Sequence, residues 1–295
     1  MLPKGGILLK ISVSMYSLAS TIKKENWSVI NFIDYAKSIS LDGVELLDFY
    51  WANPEQPDQE LELVKKALKE NNLKVSAYDV SNNFVKASKE EQDKEVLKVL
   101  DGIQIAKKLG TNIVRVFCGD LHENLTFKNG AELIVSGLKR CAEVAEKERV
   151  YLAIENHGLL AGKSSQVNNI IREVNSPFVK STFDTGNFLL VHENPTKAFE
   201  QLKNDIIHVH FKDFREKEQG EEWKGFHSTE GVELIGVIPG DGKVNLEYIV
   251  NGLKEIKYDG WLSIEYEGLE DARLANEEAI NRLRKLLDEG GENHR

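Results

Sequence analysis

"IIHVHFKD", residues 206–213, is the stretch on which the fold turns. In extended backbone, side chains two apart share a face. His208, His210 and Lys212 then lie on one face, and Ile207, Val209 and Phe211 on the other. A strand with one apolar face and one face of imidazoles and an ammonium suits a sheet whose outside packs on helices and whose inside is polar.

Working outward, the same kind of run recurs at regular intervals. Strands are predicted at 8–14, 43–47, 73–79, 112–118, 150–156, 179–185, 206–212 and 260–266. Helical periodicity fills the gaps, as in "NWSVINFIDYAKSI", where Val29, Phe32, Ile33 and Ala36 form one stripe, and in "EVLKVLDGIQIAKKLG", which stops at Gly110. Eight strand–helix units without a linker predict an α/β fold, a single (β/α)8 TIM barrel over residues 1–295. The even count favours closure over a doubly wound open sheet.

In a parallel barrel the outer strand faces pack on helices and are apolar. The opposite face here carries Lys10, Ser12 and Ser14; Glu45; Ser76 and Tyr78; Arg115; Glu155; Lys180, Thr182 and Asp184; His208 and His210; Ser263 and Glu265. The interior is therefore polar, and each ionisable group in it must pair, hydrogen-bond or hold a metal. Lys10, Glu45, Arg115 and Lys180 are expected to form an internal ion-pair network.

The last polar residues of strands five to eight are Glu155, Asp184, His210 and Glu265. Active sites of such barrels lie at the C-terminal strand ends. Strands are about 4.8 Å apart, so these four ends span an arc of roughly 14 Å from which side chains converge. Three crowded carboxylates repel one another, and a divalent cation removes the conflict. Oxygen-rich ligands with one imidazole point to Mn²⁺ first, with Mg²⁺, Co²⁺ or Zn²⁺ as alternatives.

At these residues the chain resembles the xylose-isomerase-like barrel superfamily, in particular its sugar-phosphate isomerase/epimerase branch. The motifs are "IENHG" with Glu155, "FDTGN" with Asp184, "HVHFKD" with His210 and "LSIEYEG" with Glu265, and the segment "IPGDGKVNLEYIVNGLKEIKYDGWLSIE" resembles the family's closing unit. The resemblance implies that Glu155, Asp184, His210 and Glu265 coordinate one catalytic metal, with Glu155 and Glu265 as acid/base groups on opposite faces of the substrate. The chain departs from the ketose 3-epimerases at Asn187, where they carry a histidine.

Isomerisation or epimerisation of a sugar removes a proton beside a carbonyl and leaves an enediolate, which a chelated metal stabilises while a carboxylate takes the proton. The expected activity is thus a metal-dependent sugar or sugar-phosphate isomerase/epimerase. The alternatives are a keto-polyol dehydratase on the same barrel and a non-catalytic carbohydrate-binding protein. Expected substrate contacts are His157, Asn187, Lys212, Arg215, Tyr16 and Trp51, with Tyr50 and Trp223 as further walls. His208, one layer deeper, is expected to orient a ligand. Residues 213–240 form a long connection of the kind that makes a lid.

Composition narrows the partners. A net charge of -10 argues against nucleic acid. Cys118 and Cys141 make no disulfide framework and fit a reducing compartment. The N-terminal apolar run, broken by Lys10, is too short for a membrane span and lacks the layout of a signal peptide. A cytoplasmic protein acting on a small molecule is expected, and a homo-oligomer is compatible with the sequence.

Overall fold

Apolar outer faces and capping residues set the element boundaries. The computed structural model describes residues 9–51, 57–121 and 125–289; residue 8 of the first expected strand and the two ends of the 1–295 span lie outside it. The first seven barrel strands are β1 (Lys10–Ser14), β2 (Gly43–Leu47), β3 (Lys74–Val80), β4 (Ile113–Val116), β5 (Tyr151–Glu155), β6 (Val179–Asp184) and β7 (Ile206–Phe211). The chain then leaves the barrel for β8 (Asp213–Glu216), β9 (Phe226–His227) and β10 (Glu233–Val237), an antiparallel sheet in the order β8-β10-β9. It returns as β11 (Trp261–Ile264), which pairs in parallel with both β7 and β1 and closes an eight-stranded barrel. The expected single (β/α)8 barrel is the fold. The connection over residues 213–240, expected to make a lid, carries this small sheet.

The helices are α1 (Ala19–Glu25), α2 (Val29–Ser38), α3 (Pro57–Asn71), α4 (Lys89–Leu109), α5 (Phe127–Glu148), α6 (Ser164–Val174), α7 (Asn187–Leu190), α8 (Pro195–Leu202), α9 (Leu246–Glu255) and α10 (Ala272–Glu289). Their starts follow the sequence. Ser88 and Glu91 exchange side-chain-to-backbone bonds in a capping box ahead of α4, and Gly110 ends it in the left-handed region. Asn194 caps α8 with Pro195 at its first position. Gly102 allows α4 to lie close on β3, because a Cβ there would come within 2.4 Å of Val80 Cγ2.

Two bulges alter the expected inner face. Val44 pairs with Val75 but Leu46 with Tyr78, so β3 carries an extra residue. Beyond it the phase reverses: Tyr78 packs in the outer core beneath α4, and Asp79 is turned inward onto Arg115. Tyr78 is thus not an interior residue of this strand. In β7 the pairing steps from Ile206 to His208 against Ser181 and Thr182. Ile207, expected outside, packs instead with Ala77, Ile113 and Ala153. These share the inward parity of Asp79, Arg115 and Glu155, so the barrel has an apolar floor below a polar upper layer. The main core lies between the outer strand faces and the helices.

Candidate metal centre

The ends of β5, β6, β7 and β11 deliver Glu155, Asp184, His210 and Glu265 to one place. One donor atom from each lies within 4.8 Å of all the others, and all four residues are buried. His210 Nδ1 is 3.5 Å from Glu265 Oε2 and 3.7 Å from both Glu155 Oε2 and Asp184 Oδ2. A cation bonded to each at about 2.0–2.2 Å spans separations of this size. Glu155 Oε2, Asp184 Oδ2 and His210 Nδ1 have no aligned hydrogen-bond partner although they are buried. Buried polar atoms are normally satisfied, so three that converge on one point with no contact beyond ion pairing fit a metal.

The surroundings hold these side chains from behind. Asp184 Oδ1 accepts from the backbone N–H groups of Gly186 (2.9 Å) and Asn187 (2.8 Å). Glu155 Oε1 accepts from Asn187 Nδ2 (3.0 Å), and Arg115 Nε lies 3.2 Å from Glu155 Oε2. Arg115 also reaches Asp79 Oδ2 (3.1 Å). Glu45 Oε1 accepts from the Nε2 atoms of both His208 and His210, each at 2.9 Å.

Lys212 Nζ bonds Glu265 Oε2 at 2.5 Å and Glu267 Oε1 at 3.0 Å, and lies 3.1 Å from Asp184 Oδ2. The clustered carboxylates therefore have cationic neighbours that the strand-end residues alone do not supply. Carboxyl groups still outnumber the lysine and arginine cations here: Glu45, Asp79, Glu155, Asp184, Glu265 and Glu267 stand with Lys212 and Arg115. A divalent ion would offset part of that excess.

Titration follows this charge arrangement. Burial alone would push Glu265 up, but the Lys212 ammonium and His210 draw its carboxyl well below the usual range. Burial would lower Lys212, yet Asp184, Glu265 and Glu267 push it well above the ordinary lysine value. Asp79 is raised by burial despite Arg115, while Glu45, which burial would raise, is drawn well below its ordinary value by His208 and His210.

The expected substrate contacts divide. Lys212 and Asn187 touch the cluster, and Tyr16 stands beside it, its hydroxyl pushed up to about 12 by the Glu267 carboxylate and then by burial. His157 is exposed and lies on Phe117, whose ring also takes Arg115. Two others are not brought to the cluster. Trp51 donates Nε1 to Tyr78 Oη (3.0 Å) and lines a groove of about 580 Å³ with Asp48, Leu61 and Lys98, because a 3-10 turn at Asp48–Tyr50 redirects the chain. Arg215 faces the small sheet and pairs with Glu221.

Trp223 is exposed in the excursion between β8 and β9. The expected four-residue ion-pair network is not formed: Lys10 sits over the Trp261 ring, Lys180 pairs with Asp205, and Glu45 and Arg115 serve the cluster. Glu267 and Asp79 escaped the sequence reading. Glu267 had a signal, being two residues beyond Glu265 and so on the same face.

Arg115 is the counter-charge for two buried carboxylates. Arg115→Met is expected to destabilise the fold by about 3 kcal/mol or more, because it leaves Asp79 and Glu155 unpaired. Urea unfolding checks this; a loss under about 1 kcal/mol would show that these carboxylates do not depend on it.

The sequence matches the xylose isomerase-like TIM barrel family over residues 33–286. The chain belongs to that family. Among curated relatives of this xylose isomerase-like barrel, the inosose dehydratase of Lacticaseibacillus casei is 30% identical over 165 residues, 53% of each chain, so the match spans about half of that relative's length. The inosose dehydratase of Clostridium beijerinckii is 26% identical over 246 residues, 78% of this chain and 81% of the other. Among solved structures, the IOLI protein with a bound zinc atom superposes with a TM-score of 0.76 at 18% identity, covering 96% and 98% of the two chains. No described helix is long and apolar enough to cross a membrane.

Proposed function

We propose that this chain is a divalent-metal-dependent lyase that removes water from a polyhydroxylated ketone, of the keto-polyol dehydratase type. Glu155, Asp184, His210 and Glu265 would hold the ion, with Mn²⁺ the first candidate and Mg²⁺, Co²⁺ or Zn²⁺ alternatives; when bound, it supplies Lewis-acid polarisation of substrate oxygens.

The observation that carries the reading is the inequality of the two glutamates. An epimerase needs an acid and a base on opposite faces. Glu155 is bracketed by the Asn187 amide, which donates to Oε1, and by the Arg115 guanidinium, whose positive charge lies 3.2 Å from Oε2. That suits a ligand and not a proton donor. Glu265 instead shares its Oε2 with Lys212. Glu265 takes the proton from the carbon beside the carbonyl, and Lys212 gives a proton to the β-hydroxyl that departs as water. Return of the proton from Glu265 to Lys212 across their hydrogen bond restores the site, and the balance is loss of one water. The relatives named inosose dehydratase support the same outcome.

Lys212, the cation beside the cluster on this side, is engaged by three carboxylates, which supports an uncharged keto-polyol over a sugar phosphate. The isomerase/epimerase reading keeps one observation in its favour: Glu155 and Glu265 come from the two ends of the ligand arc.

Incubation in D₂O with a panel of ketoses and cyclic keto-polyols, inosose among them, separates the two by NMR. The expected result is an unsaturated or diketo product with loss of water. Inversion at a retained stereocentre carrying solvent deuterium would establish epimerisation instead.

A further inference from the structure

We infer that Glu45 is a positioning residue for the metal centre, holding the His210 ring by Nε2 so that Nδ1 is the nitrogen presented to Glu155, Asp184 and Glu265. The inference rests on the metal reading of that cluster. His210 extends from β7, and nothing in a strand backbone fixes the rotation of an imidazole, whose terminal torsion is broad and two-fold.

What fixes it here comes from three strands away, since β11 and β1 separate β7 from β2. Glu45 Oε1 receives Nε2 of His210 at 2.9 Å inside the barrel, with both side chains fully buried. A carboxylate only accepts, so the ring nitrogen facing it carries the proton and the other offers its lone pair to the cluster. His208 donates Nε2 to the same oxygen at 2.9 Å, its ring 5.4 Å from that of His210 and nearly perpendicular to it. Two donors converging on one oxygen pin the carboxylate as well as the ligand. His208 thus acts on the centre through Glu45, one step further back.

Metal affinity and ring protonation test this without reference to turnover. Calorimetric titration with Zn²⁺ and Mn²⁺ is expected to give a Kd about 10–100-fold weaker for Glu45→Gln than for the unsubstituted chain. A purely structural role would lower the melting temperature and leave the Kd of the folded protein unchanged. In the unsubstituted, ¹⁵N-labelled, Zn²⁺-loaded protein, the His210 ring is expected to keep a slowly exchanging proton on Nε2 and to coordinate through Nδ1. This measurement stands if Glu45→Gln fails to fold.

Coordination through Nε2, or a Glu45→Gln Kd within about twofold of the unsubstituted value, would overturn the inference alone. Failure of the unsubstituted chain to bind either ion would overturn the metal reading and this inference with it.

Discussion

Glu265→Gln is expected to lower kcat by about 10²–10⁴-fold while the barrel stays folded. Glu265 stands at the end of β11 with Oε2 on Lys212 Nζ and 3.5 Å from His210 Nδ1. The amide cannot accept the substrate proton, and its NH₂ group would oppose the ammonium or weaken the ligand set. Both effects fall on turnover. The outer core beneath, Leu262 and Ile264, is untouched, so circular dichroism and the urea midpoint should change little. Steady-state kinetics on the keto-polyol identified by NMR give the ratio. Activity within tenfold of the unsubstituted enzyme would remove Glu265 from the proton transfer.

Chelation has the second large effect. Dialysis against EDTA is expected to abolish turnover and to lower the melting temperature, and restoring the ion to about 100 times its Kd should return about 2.7 kcal/mol. For a chain of this size that is a shift of about 5 °C. The physical reason is the excess of carboxylates over cations around Glu155, Asp184 and Glu265, where Lys212 and Arg115 leave negative charge uncompensated. Full activity and an unchanged melting curve after verified metal removal would contradict this.

Much of this site is visible in the sequence because strands advertise their faces. Val209 and Phe211 against His208 and His210 state both the fold and the polar interior, and strand-end carboxylates in successive units identify the cluster. The alternation fails where a strand gains one residue. Extrapolated through β3 it selects Tyr78, whereas the bulge presents Asp79, which anchors Arg115 and through it Glu155. The β7 bulge likewise moves Ile207 inward.

Partners across the barrel were hidden for a different reason. Glu45 meets His208 and His210 from residues more than 160 positions away, and no local pattern encodes which inward groups meet. Trp51 and Arg215 were placed near the mouth by position in the loops. The 3-10 turn after β2 and the pairing of β8 with β10 carry them elsewhere.

The central claim is convergence on one ion, and a crystal structure of the chain loaded with Mn²⁺, read by anomalous scattering together with elemental analysis of the same protein, tests it most directly. The account predicts one ion per chain, bonded to Glu155, Asp184, His210 through Nδ1, and Glu265. An ion bound elsewhere, or saturating metal with none between those four side chains, would contradict it.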